Sequence, residues 1–89
     1  MLSTLRFDNS FTRKLPADPQ AANYQRQVHG ACYSRVVPRS VALPRLIAYA
    51  REVAELLDVK PPTCESSEFL QVFSGNELLH GMDPFAMCY

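Results

Sequence analysis

LPRLIAYAREVAELL, residues 43–57, carries the clearest structural signal in this sequence of 89 residues. Its apolar residues recur three and four positions apart, which places them along one side of a helix while charged residues occupy the other side. The apolar set is Leu43, Leu46, Ile47, Ala50, Val53, Ala54 and Leu57. Because proline suits the first position of a helix, the pattern predicts a helix from about Pro44 to Leu57. Pro61 and Pro62 are predicted to close its other end.

The segment that follows contains the signals of a shorter helix. Ser66 or Ser67 can cap its start, because a hydroxyl oxygen accepts a hydrogen bond from a free amide of the first turn. Gly75 and Asn76 can end it in a left-handed conformation. The predicted apolar side consists of Phe69, Leu70 and Phe73.

The last ten residues, HGMDPFAMCY, predict the start of another helix. Asp83 is a capping residue, and Pro84 again suits the first helical position. A natural domain terminus is usually polar or held by other elements. We therefore expect that the protein continues beyond Tyr89 and that this helix is cut short.

Upstream of residue 43 the sequence predicts mostly irregular structure. LRFDNSFTRKL, residues 5–15, predicts a short helix or turn that ends before Pro16 and Pro19. VHGACYSRVVP, residues 28–38, predicts an extended stretch around Tyr33. The residues alone therefore predict a mainly α-helical chain with extended and irregular segments.

Composition and charge argue against several classes of protein. Apolar residues make up 47% of the chain, a globular rather than a disordered composition. Nine basic residues balance nine acidic ones, whereas nucleic-acid binding needs a basic surface. No apolar run approaches the roughly 20 residues of a membrane span, and the start lacks a secretory signal. We expect a cytoplasmic protein with neither nucleic acid nor membrane as a partner.

The histidine and cysteine residues are candidate metal ligands or nucleophiles. His29 and Cys32 have the spacing of half a zinc site, but a structural site needs four ligands, and Cys64, His80 and Cys88 are scattered. A nucleophilic pair of Cys32 or Cys64 with His29 or His80 is chemically possible, yet nothing in the spacing favours it. Three unevenly spaced cysteines do not predict a disulfide framework either. We expect reduced thiols packed as small apolar groups, and we assign no catalytic, cofactor-binding or metal-binding residue.

Three further features have a plain structural interpretation. The Ser74-Gly75-Asn76 stretch lacks the several glycines of a phosphate-binding loop and predicts a turn. Phe69 and Phe73 stand one helical turn apart, which is more typical of a core than of a platform for stacking bases. Arg35 and Arg39 flank an extended apolar pair and can bind an anion or a downstream carboxylate.

Four stretches occur in an informative order. They are FDNSF at 7–11 with Leu15-Pro16 after it, YSRVVP at 33–38, EVAELL at 52–57 and VFSGNELLHGMDPFAMCY at 72–89. Together they resemble the N-terminal region of the selenoprotein O family, and the resemblance covers about residues 5–89. Leu43 departs from the family, which often has an Asn before this proline, and the change removes a helix cap worth about 1 kcal/mol.

The resemblance implies a fold and an activity for a much longer protein. Residues 1–89 would be the incomplete N-terminal portion of a single protein-kinase-like α+β domain, ending before its glycine-rich nucleotide-binding motifs. The implied enzyme is a protein adenylyltransferase, which uses ATP and Mg²⁺ or Mn²⁺ to transfer AMP to Ser, Thr or Tyr hydroxyls of target proteins. Its catalytic and ATP-binding residues lie downstream, so we expect no activity and no cofactor for residues 1–89 alone.

The resemblance also implies partners and a location. The partners are the remainder of the kinase-like domain and, for the whole enzyme, its protein substrates; the location is a bacterial cytoplasm, with mitochondria for eukaryotic relatives. The predicted helix would pack on the remainder of the domain, so without that partner its apolar side would be exposed. This side includes Leu46, Ile47, Val53 and Leu57.

Two alternatives remain open from the sequence. One is a stand-alone, non-catalytic interaction module that presents the amphipathic helix to a partner. The other is a small metal or thiol protein that uses His29, Cys32, Cys64 and His80.

Overall fold

The structure, a computed structural model, describes residues 2–88. Its elements in chain order are a 3-10 helix (Leu2–Thr4), α1 (Ser10–Lys14), β1 (Tyr33–Arg35), α2 (Arg51–Leu56), α3 (Pro61–Cys64), α4 (Ser67–Phe73) and β2 (Phe85–Met87). The predicted helical, extended and irregular segments are all present, but most of residues 2–88 lie outside the helices, so the described chain is less helical than predicted. Within residues 2–88 no helix is long and apolar enough to cross a membrane.

The chain divides into two compact units. The first unit contains residues 39–81 together with the N-terminal residues up to Arg6, and the second contains residues 7–38 and 82–88. Helices α2, α3 and α4 therefore belong to the first unit, while α1 and both strands belong to the second.

The first unit has a small core at α3 and α4. Cys64 and Val72 are buried there, and Leu2 and Val59 are the other buried apolar residues of this unit. The Leu2 amide donates to Glu68 Oε1 of α4 at 3.0 Å, so the N-terminal residues are attached to this core by a hydrogen bond as well as by burial. The burial of Cys64 agrees with the expectation that thiols pack as small apolar groups.

The boundaries of α4 confirm the prediction made from its caps. Ser66 is the N-cap, and its Oγ accepts a hydrogen bond from the Phe69 amide at 3.1 Å. At the other end Gly75 has φ of +87°, and the Asn76 amide donates to the Gln71 carbonyl oxygen at 2.9 Å. This six-residue closing bond, after a glycine in the left-handed region, is the Schellman arrangement. Local signals were sufficient here because both caps lie within the segment itself.

The helix predicted over residues 44–57 is correct only in its second half, as α2, and residues 44–50 form no helix. Leu43 adopts φ of +45° and offers no side-chain cap, and Ala50, which precedes α2, makes no capping bond either. Nucleation of a helix is unfavourable, and a short helix is stabilised mainly by packing its apolar side against other residues. Ile47 is 92% exposed and Leu46 is 39% exposed, so residues 44–50 bury little of the apolar side that a helix would need to pack.

The prediction that two prolines close this helix is also wrong. Pro61 and Pro62 occupy the first positions of α3, where a missing amide hydrogen costs no helical hydrogen bond. The preceding helix ends instead in a turn in which Asp58 has φ of +55°. The Val59 amide then donates to the Ala54 carbonyl oxygen at 2.8 Å, which satisfies one of the free acceptors of the last turn.

The second unit is built on the antiparallel pairing of β1 with β2. Tyr33 faces Met87 and Arg35 faces Phe85, so the extended stretch predicted around Tyr33 is confirmed. The helix predicted to begin at Asp83 is wrong, because residues 85–87 form β2. Pairing with β1 satisfies backbone groups that a helix would otherwise have to satisfy internally, and a distant segment of the chain supplies the partners.

An aromatic cluster supports this strand pair. The ring of Phe85 stacks on Phe11 with centroids 4.7 Å apart and meets the edge of Tyr33 at 5.5 Å. Tyr33 is buried, and its hydroxyl donates to the Thr12 carbonyl oxygen at 2.6 Å. Both Phe11 and Thr12 belong to α1, the short helix predicted near the N-terminus, so the cluster joins α1 to the sheet.

Candidate functional site

An apolar groove of about 540 Å³ lies in the first unit. Its lining comes from the irregular segment 44–50 and from residues of α2 and α4. Three aromatic rings contribute: Tyr49 meets Phe69 edge to face with centroids 6.4 Å apart, and Phe69 stacks on Phe73 at 4.3 Å. Phe73 is more than half exposed, so the core position that its spacing predicted is wrong for this residue.

The groove is lined by the residues whose exposure the sequence predicted. Leu46, Ile47, Val53 and Leu57 all line it, and all four are exposed. The predicted exposure of these four residues is therefore confirmed. Monomeric soluble proteins rarely expose large contiguous apolar surface.

The second unit carries an ion pair that the sequence predicted as one of two possibilities. The Arg35 guanidinium donates from Nε to Asp83 Oδ1 at 3.1 Å and from an Nη to Asp83 Oδ2 at 3.2 Å. This two-point contact raises the pKa of Arg35 and lowers the pKa of Asp83, and a hydrogen bond from Thr12 lowers the latter further. Arg35 thus binds a downstream carboxylate within its own chain, while Arg39 belongs to the other unit.

A nearly buried carboxylate, that of Asp18, was not singled out by the sequence. Its Oδ2 accepts from the Ser34 hydroxyl at 3.1 Å, its Oδ1 accepts from the Gln20 amide at 3.0 Å, and the Arg26 guanidinium pairs with it. These contacts attach the loop after α1 to β1. The local signal was present, since an Asp between two prolines is typical of a turn, but its contacts with Ser34 and Arg26 depend on the fold.

The residues considered for zinc or thiol chemistry fall into both units. His29, Cys32 and Cys88 lie in the second unit, and Cys64 and His80 lie in the first. Over residues 2–88 no group of three or more His, Cys, Asp or Glu side chains comes together in a form that can hold a metal ion. All three cysteines are free thiols.

The geometry of the described residues is dominated by an apolar groove in the first unit and by a strand pair in the second. In the second unit the strand pair carries charged and aromatic side chains that already contact one another. The turn at Ser74-Gly75-Asn76 closes α4 through backbone hydrogen bonds, as its glycine content predicted.

Comparison with curated proteins finds relatives along almost the whole chain. A protein nucleotidyltransferase YdiU of Rhodopirellula baltica is 52% identical over 89 residues, which are 100% of this chain and 16% of that protein. Proteins of the same name are 54% identical over 85 residues in Azoarcus sp. (96% of this chain, 16% of the relative) and 50% identical over 88 residues in Aromatoleum aromaticum (99% and 17%).

The chain thus spans about a sixth of the length of the curated relatives it matches. This share is consistent with the N-terminal resemblance described above. No protein-family model matches the sequence, and no solved structure matches it.

Proposed function

Because this chain belongs to the selenoprotein O family, whose curated members are named protein nucleotidyltransferase YdiU, we propose that it is the N-terminal portion of a protein adenylyltransferase. The whole enzyme would transfer AMP from ATP to Ser, Thr or Tyr hydroxyls of target proteins in the bacterial cytoplasm. The supporting observation is 52% identity, over all 89 residues, to a nucleotidyltransferase of which this chain covers 16%.

Among residues 2–88 no group of three or more His, Cys, Asp or Glu side chains comes together to hold a metal ion. In the proposal, ATP and Mg²⁺ or Mn²⁺ bind to residues outside this chain, in the remainder of a protein-kinase-like domain. Metal ions and basic side chains would there neutralise the triphosphate while a target hydroxyl attacks the α-phosphorus in line.

The role proposed for residues 1–89 is docking onto that remainder through the apolar groove. Covering an exposed aliphatic side chain such as Ile47 contributes about 1.5–3 kcal/mol. Residues 44–50 have the apolar spacing of a helix but lack a surface for its apolar side. Docking would supply that surface, and we expect these residues to extend α2 towards its N-terminus when docked.

A chimeric protein tests the activity. This chain replaces the matching portion of the Rhodopirellula baltica relative, and the chimera is compared with the same relative lacking that portion. We expect the chimera to label proteins with radioactivity from ATP labelled at the α-phosphate and not from ATP labelled at the γ-phosphate. Label from the γ-phosphate alone would indicate phosphate transfer and contradict the proposal, as would a folded but inactive chimera.

Two matched substitutions in the chimera test the docking role. Ile47→Asp places a charge in the apolar groove, whereas Leu56→Asp places the same charge on an aliphatic position that is equally exposed but lies outside the groove. We expect Ile47→Asp to reduce the yield of active chimera at least about tenfold, the effect of roughly 1.4 kcal/mol, and Leu56→Asp to change it little. Equal losses from both substitutions would refute docking through the groove.

A further inference from the structure

Cys32 and Cys88 lie opposite each other at one end of the β1–β2 pair. The register pairs Tyr33 with Met87, and one further step along both strands brings the two cysteines together. The Cys88 amide donates to the Cys32 carbonyl oxygen at 3.0 Å, so one backbone hydrogen bond joins the two residues, while the Cys32 amide donates to the Pro16 carbonyl oxygen at 2.8 Å. The two thiol-bearing residues are therefore direct cross-strand neighbours, although they are far apart in sequence.

This placement matches what a disulfide requires. Directly opposite residues of an antiparallel ladder carry their side chains on the same face, and a hydrogen-bonded pair has Cα atoms about 5.5 Å apart. Disulfides join residues whose Cα atoms are about 4.4–6.8 Å apart. Directly opposite positions thus have the Cα separation that a disulfide spans, and closure requires no change of strand register.

Neither residue of the pair is fully buried. Cys32 and Cys88 are half-buried free thiols, whereas Cys64 is buried and belongs to the other unit. The Ser34 hydroxyl lies 3.9 Å from Cys88 Sγ on the same face of the ladder, so a small polar group neighbours this sulfur.

We propose that Cys32 and Cys88 form a reversible disulfide that locks β1 to β2, with a low-molecular-weight disulfide such as oxidised glutathione as the oxidant. One protein thiolate attacks a sulfur of oxidised glutathione, which forms a mixed disulfide and releases one reduced glutathione. The second protein thiolate then attacks the protein sulfur of that mixed disulfide and releases the second reduced glutathione. Two thiols are oxidised, one glutathione disulfide is reduced, and the two thiol protons remain with the released glutathione or solvent.

The disulfide would act on a short strand pair of the second unit. Each strand has three residues, and β2 is exposed along its whole length. A pair of short strands is marginally stable in water. A cross-link that closes the long loop between residues 32 and 88 restricts the unfolded chain, so the oxidised form should keep its strand pairing to a higher temperature.

Peptide mapping of the purified chain after treatment with oxidised glutathione tests the disulfide. Trypsin alone leaves Cys64 and Cys88 in one peptide, because no cleavable basic residue lies between them. Added cleavage after glutamate separates residues 78–89 from the Cys64 peptide, while Cys32 stays within residues 27–35. We expect a loss of two hydrogen atoms in mass, a cross-linked pair of peptides 27–35 and 78–89, and reversal by dithiothreitol.

Variants supply the controls. Cys32→Ser and Cys88→Ser should each abolish the cross-link, whereas Cys64→Ser should retain it. The oxidised Cys64→Ser chain should also show a thermal unfolding midpoint several degrees above that of its reduced form. Cross-links through Cys64, dimers joined between chains, or glutathione retained on both Cys32 and Cys88 would each overturn the proposal. None of these measurements requires nucleotide transfer, so their outcome is independent of the proposed function.

Discussion

Asn76 is the residue that ties the segment before the groove to the end of α4. Its Oδ1 accepts from the Val41 amide at 2.7 Å, and its Nδ2 donates to the Val41 carbonyl oxygen at 3.0 Å and to Gln71 Oε1 at 3.0 Å. The Asn76 side chain thus bonds to both backbone groups of Val41, as the backbone of a paired strand does. The sequence predicted Asn76 only as part of a turn.

Replacing Asn76 with Ala should loosen this connection. A hydrogen bond of this kind contributes about 1 kcal/mol, and we expect the Val41 amide to exchange its hydrogen severalfold faster in Asn76→Ala. Hydrogen exchange followed by NMR measures the effect, with Asn23→Ala, an exposed asparagine of the other unit, as the control. Unchanged exchange at Val41 would show that its amide does not depend on Asn76.

The Arg35–Asp83 pair predicts a dependence on acid pH. The pKa of Asp83 lies below its ordinary value of 3.8 mainly because Arg35 donates to its carboxylate. The folded chain therefore binds this proton more weakly than the unfolded chain does. The stabilisation is present above pH 3.8 and is lost as the pH falls through the folded-state pKa.

Arg35→Ala should raise the pKa of Asp83 towards 3.8, because the largest cause of its lowering is removed. An NMR titration of the Asp83 carboxyl carbon measures this shift. Arg39→Ala removes an equal charge from the other unit and should leave the Asp83 titration in place. A low pKa that persists in Arg35→Ala would assign the shift to another group.

At the scale of elements, α4 and β2 have similar start signals but different outcomes. Ser66 before α4 and Asp83 with Pro84 before β2 are all typical of a helix N-terminus. The Ser66 hydroxyl does cap α4, whereas the Asp83 carboxylate binds Arg35 instead. A local capping residue determines the secondary structure of its segment only when no distant partner competes for the same side chain.

Removing the cap of α4 should weaken that helix. Ser66→Ala eliminates the hydrogen bond that Ser66 Oγ accepts from the Phe69 amide, a loss of about 1 kcal/mol. Ser67→Ala, at the exposed first residue of α4, is the matched control and should cost little. The midpoint of urea unfolding, followed by far-UV circular dichroism, should fall for Ser66→Ala, and equal midpoints in both variants would contradict the capping role.

At the scale of the whole molecule, little of the chain is buried. Among the described residues the buried apolar set is Leu2, Tyr33, Val59, Cys64 and Val72. Below about 80 residues a single core rarely supplies more than about 3–5 kcal/mol, and here the residues are divided between two units. The exposed groove residues are apolar surface that the first unit does not bury in its own core.

The isolated chain should therefore bind a fluorescent dye such as ANS, which reports exposed apolar surface. We expect Ile47→Asp to lower the dye fluorescence more than Leu56→Asp does, because only the former residue lines the groove. The chimera should give less dye fluorescence per mole of residues 1–89 than the isolated chain gives. Dye binding that is equal in the two variants would place the binding surface outside the groove.

The sequence by itself determined the features whose partners lie within a few residues. These include α4 with its Ser66 cap and Gly75 end, the short helix α1 and the exposed apolar side that contains Ile47. The same local information predicted an α-helix over residues 44–50, but a helix also needs a surface for its apolar side.

Only the tertiary structure decided the features that join distant segments. Residues 85–87 form a strand because β1 supplies hydrogen bonds, and Phe11 supplies a ring against which Phe85 stacks. The binding of Asp83 to Arg35 and the apposition of Cys32 with Cys88 follow from that pairing. The spacing of residues along a chain does not show which segments meet, because the free energy of strand pairing depends on the residues of both strands.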